Sequence, residues 1–322
     1  MLLEVKDLTV SYKTIYGRLE ALNKINLSIS AGESTAIVGE SGSGKSTLGL
    51  SIVRLLAPNS SYDNGSIFLD GKDIVKMNRR EVVRMRGKDA FMVFQDPLNS
   101  LNPVKRVKIQ LLEAIKMRTL RQGKQFDERQ AFNEALETLR EVRLPDPELI
   151  IERFPHQLSG GQIQRVVIAF GLIMRPKLLI ADEPTSALDV TIQAQVLKLM
   201  NDLKRDYDMS ILFITHDISV AYAVSDRVVV MYAGEISEKG PTEKVVKSPL
   251  HPYAQGLISS IPKASKKSGN LQSIVGAPPN MLNPPIGCRF NPRCSRVMEI
   301  CRKENPRETE QDERIVRCFL YG

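Results

Sequence analysis

Two short stretches of this 322-residue chain combine glycine, serine and charged residues at spacings that suit phosphate chemistry. The first, Gly39–Thr47, matches G-x-x-x-x-G-K-[ST] and follows a predicted short strand, Ser34–Val38. Its glycines let the backbone wrap around phosphates so that N–H groups point inward, and a helix predicted to begin near Lys45 adds its positive end. Lys45 would neutralise β- and γ-phosphate charge, and Ser46 would offer its hydroxyl to Mg²⁺. The motif predicts a nucleoside triphosphate site made of Gly39, Ser41, Gly42, Ser43, Gly44, Lys45, Ser46 and Thr47.

The second stretch, Leu158–Asp189, contains a glycine turn and two adjacent carboxylates. The turn, formed by Ser159, Gly160, Gly161 and Gln162, precedes a helix-length run and is therefore a second candidate anion-binding helix end. The carboxylates Asp182 and Glu183 follow the apolar run 177–181, which is typical of a parallel strand buried on both faces. Because ligands in open α/β sheets bind at the carboxyl ends of strands, we expect one carboxylate near Mg²⁺ and the other facing a water molecule.

Two more polar residues follow predicted buried strands. Gln95 comes after 91–94, about 50 residues beyond the phosphate motif, and this position favours contact with Mg²⁺ or water over a surface cap. His216 follows 210–215 and could reach a γ-phosphate, although a lone histidine more often has a structural role. We therefore regard Lys45, Gln95, Glu183 and His216 as the candidate catalytic residues.

An aromatic side chain near the first strand could stack on a nucleotide base. Tyr12 ends that strand, and Tyr16 lies in the hairpin that follows it. Either ring could instead cover the edge of the sheet.

The elements that must position these residues predict an α/β fold. Two strands are predicted before the phosphate motif, at Leu2–Val10 and Ala21–Ile29, and a hairpin strand is predicted after it, at Gly65–Asp70. Between residues 97 and 157, apolar positions recur at helical spacing with prolines as breaks, which indicates an inserted helical subdomain. The runs 228–232 and 235–240 predict a two-stranded edge.

Charge and hydropathy restrict the function classes. The net charge is +8, and the last 60 residues carry 11 Lys and Arg against 6 Asp and Glu. A basic excess can attract nucleic acid or an anionic membrane, but the lack of interleaved aromatic residues favours a solvated surface. No apolar run approaches the ~18 residues of a membrane span, and no secretory signal is visible. We expect a cytosolic protein unless a partner holds it at a membrane.

All four cysteines lie near the end of the chain, at Cys288, Cys294, Cys301 and Cys318. This concentration in a cytosolic chain favours a metal site over disulfides. Zinc sites usually include a C-x₂-C pair, which is missing here, and four irregularly spaced thiolates also suit a [4Fe–4S] cluster. The residues alone leave open zinc, an iron–sulfur cluster, disulfides and free thiols. A metal site would stabilise a segment that is rich in proline and poor in apolar residues.

The motifs together resemble an ABC-type ATPase over residues 1–250. The matching positions occur in the family's order and spacing, and they are Gly39–Thr47, Gln95, Leu158–Gln162, Asp182, Glu183, Ser186–Asp189 and His216. The resemblance implies a P-loop NTPase core with a mostly parallel sheet, an N-terminal antiparallel β subdomain and a helical subdomain at about 97–175. Ser248–Tyr253 and the cysteine-rich tail resemble the ATP-binding subunits of oligopeptide/dipeptide importers. That resemblance implies a small C-terminal extension at 251–322 whose four cysteines bind a [4Fe–4S] cluster.

The resemblance also implies an ATPase that works as a head-to-tail pair. The phosphate loop of one subunit would face Ser159–Gln162 of the other, with ATP and Mg²⁺ between them. Asp182, Gln95 and Ser46 would hold Mg²⁺, Glu183 would polarise the attacking water, and His216 would contact the γ-phosphate. The family's pattern favours Tyr12 over Tyr16 as the base-stacking residue.

The expected partners are a second ATPase subunit, identical or related, two transmembrane permease subunits and an extracellular substrate-binding protein. The protein would then lie at the cytoplasmic face of the membrane. Similar systems carry oligosaccharides or nickel, so these substrates remain alternatives to peptides. A soluble ABC ATPase that acts on nucleic acid, with a zinc-binding tail, is the alternative function, but the single ATPase half and the short spacing between Gln95 and Leu158 disfavour it.

Overall fold

The computed structural model describes residues 1–186, 188–260 and 274–322. Residue 187, within the predicted loop 186–189, lies outside the described residues. The chain forms two compact units, one made of residues 1–77 and 212–322 and the other of residues 78–211. The predicted boundary at residue 250 does not coincide with this division, because the C-terminal residues belong to the same unit as the N-terminal strands. That boundary remains a prediction about the domains.

An antiparallel sheet of four strands opens the first unit, in the order β2-β1-β4-β5. Its strands are β1 (Leu3–Thr14), β2 (Gly17–Ile29), β4 (Ser60–Leu69) and β5 (Lys72–Asp73). β1 is central and pairs with both β2 and β4, and residues such as Leu3, Leu8 and Val10 are fully buried. The predicted N-terminal strands lie in this antiparallel sheet, and they extend a few residues beyond the runs that indicated them.

A second sheet in this unit contains β3 (Ser34–Val38), β9 (Arg227–Tyr232) and β10 (Glu235–Pro241). β3 pairs in parallel with β9, whereas β9 and β10 are antiparallel. β8 (Ser210–Thr215) is the other neighbour of β3. Its first two residues precede residue 212, where the C-terminal part of this unit begins. The predicted strands 34–38 and 210–215 are confirmed with their bounds.

The C-terminal residues extend this sheet, which the sequence did not predict. β12 (Arg314–Arg317) pairs antiparallel with β10 and with β11 (Glu308–Gln311). The sheet of this unit is therefore mixed, and the expectation of a mostly parallel sheet is wrong for its C-terminal strands. The reason is that backbone hydrogen bonds to β10, with Val316 fully buried, anchor a segment that has few apolar residues.

The first unit has four α-helices among its described residues. They are α1 (Lys45–Ile52), α8 (Ile218–Val224), α9 (Thr242–Lys247) and α10 (Pro252–Ser259). α1 begins at Lys45 as the phosphate motif predicted.

The second unit is mostly helical. Its helices are α2 (Arg79–Met85), α3 (Val107–Arg121), α4 (Glu128–Glu141), α5 (Pro147–Ile150), α6 (Gly160–Met174) and α7 (Val190–Tyr207). α3, α4 and α6 pack on one another around buried residues that include Leu111, Leu139 and Ile168. The helices between 97 and 157 were predicted from this apolar spacing. Two parallel strands, β6 (Ala90–Val93) and β7 (Leu178–Asp182), complete the unit.

Candidate nucleotide-binding site

The loop Gly39–Thr47, hereafter the phosphate loop, packs so tightly that two positions accept only glycine. A Cβ at Gly39 would lie 2.1 Å from the carbonyl oxygen of Met231 in β9. At Gly44, where φ is +100°, a Cβ would lie 2.7 Å from the carbonyl oxygen of Ala21. Both obstacles are backbone atoms, which cannot move aside as a side chain can. The glycines thus let the loop pack closely against the backbone of two strands, β9 and β2.

The interior of the loop suits an anion. The buried Oγ of Ser43 has no hydrogen-bond partner within the described part of the chain. Among the described residues, no side chain caps the N-terminus of α1, where Gly44 is in the left-handed conformation. Backbone donors at an uncapped helix start and an unpartnered hydroxyl are groups that phosphate oxygens can satisfy. These residues therefore fit a nucleotide phosphate.

The Lys45 side chain reaches back to the start of the phosphate loop. Its Nζ donates to the carbonyl oxygens of Gly39 at 2.8 Å and Glu40 at 2.9 Å, and the residue is only 6% exposed. Its ammonium is therefore held at the loop, where it can neutralise phosphate charge. Ser46 is exposed at the start of α1, and its contact with Mg²⁺ remains a prediction.

The second unit brings Gln95 and Glu183 together. Gln95 Nε2 donates to Glu183 Oε2 at 2.9 Å, although the residues are 88 positions apart. Glu183 has a φ of +46°, a left-handed conformation that a non-glycine residue adopts at a cost of roughly 1–3 kcal/mol. Such backbone strain is concentrated at functional sites because surrounding contacts must hold it.

Asp182 is the last residue of β7, whereas the sequence predicted that it follows the strand. It is 5% exposed. Its neighbour Glu183 is partly exposed. A buried carboxylate beside a more exposed one is consistent with the different roles predicted for the pair.

The turn Ser159–Gln162, hereafter the glycine turn, forms the start of α6 and caps itself. Ser159 Oγ accepts from the Gln162 N–H at 3.3 Å, and Gln162 Oε1 accepts from the Ser159 N–H at 3.0 Å. This reciprocal arrangement is a capping box. Gly160 is exposed and Gly161 is partly exposed, so a ligand can approach the backbone at this helix end.

The other predicted residues lie at strand ends or in a hairpin. His216 is exposed directly after β8. Tyr12 is half-buried in β1 opposite Leu19 and Ser60, and Tyr16 is 81% exposed between β1 and β2. Their contacts with phosphate or base remain predictions.

Two residues that the sequence reasoning missed contact the phosphate loop. Arg293 and Tyr253, from the C-terminal extension (residues 251–322), both contact Glu40 of the loop. The only sequence signal was the Ser248–Tyr253 pattern, which pointed to a family and not to this contact.

The four cysteines line one cavity together with His251, Phe290 and Arg296. All four are free, so the disulfide alternative finds no support. Burial raises the pKa of the Cys288 thiol to about 12 and raises those of Cys294 and Cys318. No group of three or more His, Cys, Asp or Glu side chains in the described ranges could hold a metal ion. The predicted zinc and iron–sulfur sites therefore have no support from this arrangement.

No helix in the described part of the chain is long and apolar enough to cross a membrane.

Comparison with known proteins places these motifs in a family. Residues 22–186 match the family model described as ABC transporter, and residues 237–301 match that described as oligopeptide/dipeptide transporter, C-terminal region. The chain is 43% identical to the oligopeptide transport ATP-binding protein OppD of Salmonella typhimurium over 99% of this chain and 93% of that protein. It is 46% identical to OppD of Bacillus subtilis, over 99% of this chain and 88% of that protein.

A solved structure shares the fold. The ATP-binding cassette MJ0796, described as a dimer in a post-hydrolysis state bound to ADP and Pi, matches with a TM-score of 0.67 and 29% identity. The match covers 74% of this chain and 98% of that one. The P-loop fold inferred from the motifs is thus confirmed, and ATP and Mg²⁺ are the expected ligands. This chain belongs to the ABC transporter family of ATPases and, within it, to the ATP-binding subunits of oligopeptide/dipeptide importers.

Proposed function

We propose that this protein hydrolyses ATP to drive the import of oligopeptides or dipeptides. The observation that carries the hydrolytic part is the hydrogen bond between Gln95 and Glu183 at the end of β7. It holds a strained, partly exposed carboxylate next to the buried Asp182, which is the arrangement that water activation beside a cation requires. Peptide import is supported by the names of relatives that match nearly the whole chain.

The residues take distinct roles in this proposal. The phosphate loop and Lys45 bind and neutralise the β- and γ-phosphates, while Tyr12 stacks on the base. Ser46, Gln95 and Asp182 hold Mg²⁺, which neutralises phosphate oxygens when bound. Glu183 orients and polarises the attacking water, and His216 contacts the γ-phosphate. Catalysis then consists of positioning and charge stabilisation.

We further propose that two ATPase subunits pair head to tail. The phosphate loop of one subunit would bind ATP together with the glycine turn, Ser159–Gln162, of the other. The dimeric ATP-binding cassette with the same fold supports this arrangement. ATP would join the subunits, and hydrolysis would allow them to separate. The second subunit is either identical or related.

The permease would hold the protein at the cytoplasmic face of the membrane. Two transmembrane subunits and an extracellular substrate-binding protein complete the importer in this proposal. Relatives are named for oligopeptide and dipeptide transport, whereas nothing favours oligosaccharide, nickel or nucleic acid.

The replacement Glu183→Gln tests the hydrolytic role. It should reduce ATP hydrolysis by roughly 100-fold or more while ATP still binds, because the amide cannot polarise water. The variant should also accumulate as an ATP-bound dimer, visible by light scattering. Glu137→Gln, at an exposed position of α4, is the matched control and should hydrolyse ATP normally. Normal hydrolysis by Glu183→Gln would remove Glu183 from this role.

The cysteine cavity permits a second, separate proposal, that Cys288, Cys294, Cys301 and Cys318 ligate a [4Fe–4S] cluster. In such a cluster each thiolate binds a different iron, so the four sulfurs lie farther apart than the ligands of a single ion. The proposal starts from four free thiols that line one cavity, whereas no group of three or more His, Cys, Asp or Glu side chains in the described part of the chain could hold a single metal ion. About four irons and four sulfides per chain in anaerobically purified protein, lost in Cys301→Ser, would support it. Colourless protein without iron would contradict it.

A further inference from the structure

Glu40 places a negative charge inside the phosphate loop. It stands between Gly39 and Ser41, where a carboxylate opposes a polyanionic ligand. Arg293 offsets this charge with two hydrogen bonds, from Nη1 to Oε2 at 2.7 Å and from Nη2 to Oε1 at 3.0 Å. The Arg293 side chain is 6% exposed and that of Glu40 is 25% exposed, so solvent and salt screen the pair less than a surface pair.

The backbone of Glu40 is held as well. Its N–H donates to the hydroxyl of Tyr253 at 2.9 Å, and Tyr253 is fully buried in α10. The Tyr253 ring packs against Tyr232 and Phe290, with ring centroids 4.6 Å and 5.4 Å away. Arg293 Nη1 also reaches the Tyr232 hydroxyl at 3.3 Å. One cluster of side chains therefore fixes both the carboxylate and the main chain of Glu40.

Arg293 also connects the loop to an earlier segment of the extension. Its Nε donates to the carbonyl oxygen of Val275 at 3.1 Å. A few residues further on, Pro278, Pro279 and Met281 line a pocket whose other wall includes Ser41, Gly42 and Ser43. The C-terminal extension thus contributes directly to the surroundings of the phosphate loop.

We propose that Arg293 is a positioning residue for ATP binding, which neutralises Glu40 and holds the phosphate loop in its binding conformation. This inference rests on the proposed function, because it takes the loop to bind ATP. It assigns the C-terminal extension a part in nucleotide affinity. Without Arg293, the Glu40 carboxylate repels the phosphates and the loop loses its side-chain anchor.

The test measures binding of a fluorescent ATP analogue with Mg²⁺ to the full-length protein. Arg293→Ala should weaken the affinity on the order of tenfold at low salt, and the difference should shrink at 1 M salt. Adding Glu40→Gln to Arg293→Ala should restore most of the affinity, because both charges are then gone. Arg302→Ala, at an exposed position of the same extension, is the matched control and should bind as the unaltered protein does.

Three results would distinguish a failure of this inference from a failure of the proposed function. Equal affinity of folded Arg293→Ala and the unaltered protein would overturn the inference and leave the proposed function standing. A double variant as weak as Arg293→Ala would show that Arg293 serves only as structural support and would overturn the charge argument. Lack of binding by the unaltered protein would overturn the proposed function itself. If Arg293→Ala fails to fold, Arg293→Lys and Glu40→Gln carry the same test, and Glu40→Gln alone should bind at least as tightly as the unaltered protein.

Discussion

The two glycine-rich helix starts of this chain, at α1 and α6, differ in how their structure is stabilised. Each offers backbone N–H groups to an anion. The start of α6 is completed locally, because Ser159 and Gln162 cap each other within one turn. The start of α1 has no side-chain cap, and residues far along the chain shape the loop before it.

The difference indicates what each end can bind. An uncapped start, with a Ser43 hydroxyl that has no partner among the described residues, offers donors to several phosphate oxygens but needs outside support to keep its shape. A self-capped start is stable without help and offers fewer donors. We therefore expect changes at the phosphate loop to be costly and dependent on distant contacts, and changes at the glycine turn to be mild and local.

The largest contrast should come from adding one methyl group at each place. Gly39→Ala should destabilise the protein by more than ~3 kcal/mol, because the new Cβ would lie 2.1 Å from the Met231 carbonyl oxygen. Gly160→Ala should leave the free energy of unfolding unchanged or slightly raised, since its nearest atom is Leu188 Cδ2 at 3.9 Å and alanine favours helix. Urea unfolding of both variants measures the difference. Equal losses of unfolding free energy in the two variants would contradict the proposed difference between the two helix starts.

Acid should weaken the support of the phosphate loop. His251 caps α10, which carries Tyr253, and burial lowers the pKa of its imidazole to about 4. The unfolded chain binds this proton near pH 6.5 but the folded chain only near pH 4, so stability falls as pH drops through this window. The loss attributable to His251 should approach ~3 kcal/mol.

Unfolding free energies measured between pH 7 and pH 4 would show this loss as a slope. His251→Asn keeps a capping side chain but cannot charge, and should reduce the slope. His156→Asn, at an exposed position, is the control and should not change it. A slope that survives in His251→Asn would assign the acid sensitivity to other groups.

The smallest effect should come from the cap of the glycine turn. Ser159→Ala removes the hydroxyl that accepts from the Gln162 N–H and should cost about 1 kcal/mol in the free energy of unfolding. It should also lower ATP hydrolysis, because Ser159 is a proposed phosphate contact. Asp127→Ala removes the comparable cap of α4, where Asp127 accepts from the Gln130 N–H at 2.8 Å, and should cost stability alone. Identical hydrolysis rates in the two variants would argue against a role of the turn in ATP binding.

The strands that were predicted correctly are those that local residue patterns indicate. Strands 34–38 and 210–215 were predicted with their bounds because each contains an apolar run, at 36–38 and 211–214, that leaves few alternatives. The β12 strand was missed because Arg314–Arg317 contains only two apolar residues, too few to indicate a strand, and only pairing with β10 makes it one. Strand formation there is a property of the partner as much as of the segment.

The sequence by itself determined the phosphate loop, the glycine turn and the two carboxylates, because each depends on residue types at short, fixed spacings. Tertiary structure alone decided that Gln95 meets Glu183 across 88 residues. It likewise decided that Arg293 meets Glu40 across 253 residues, and that four cysteines share one cavity. The physical reason is that chemistry within a motif is set by neighbouring residues, whereas these contacts arise only when the fold brings distant segments together.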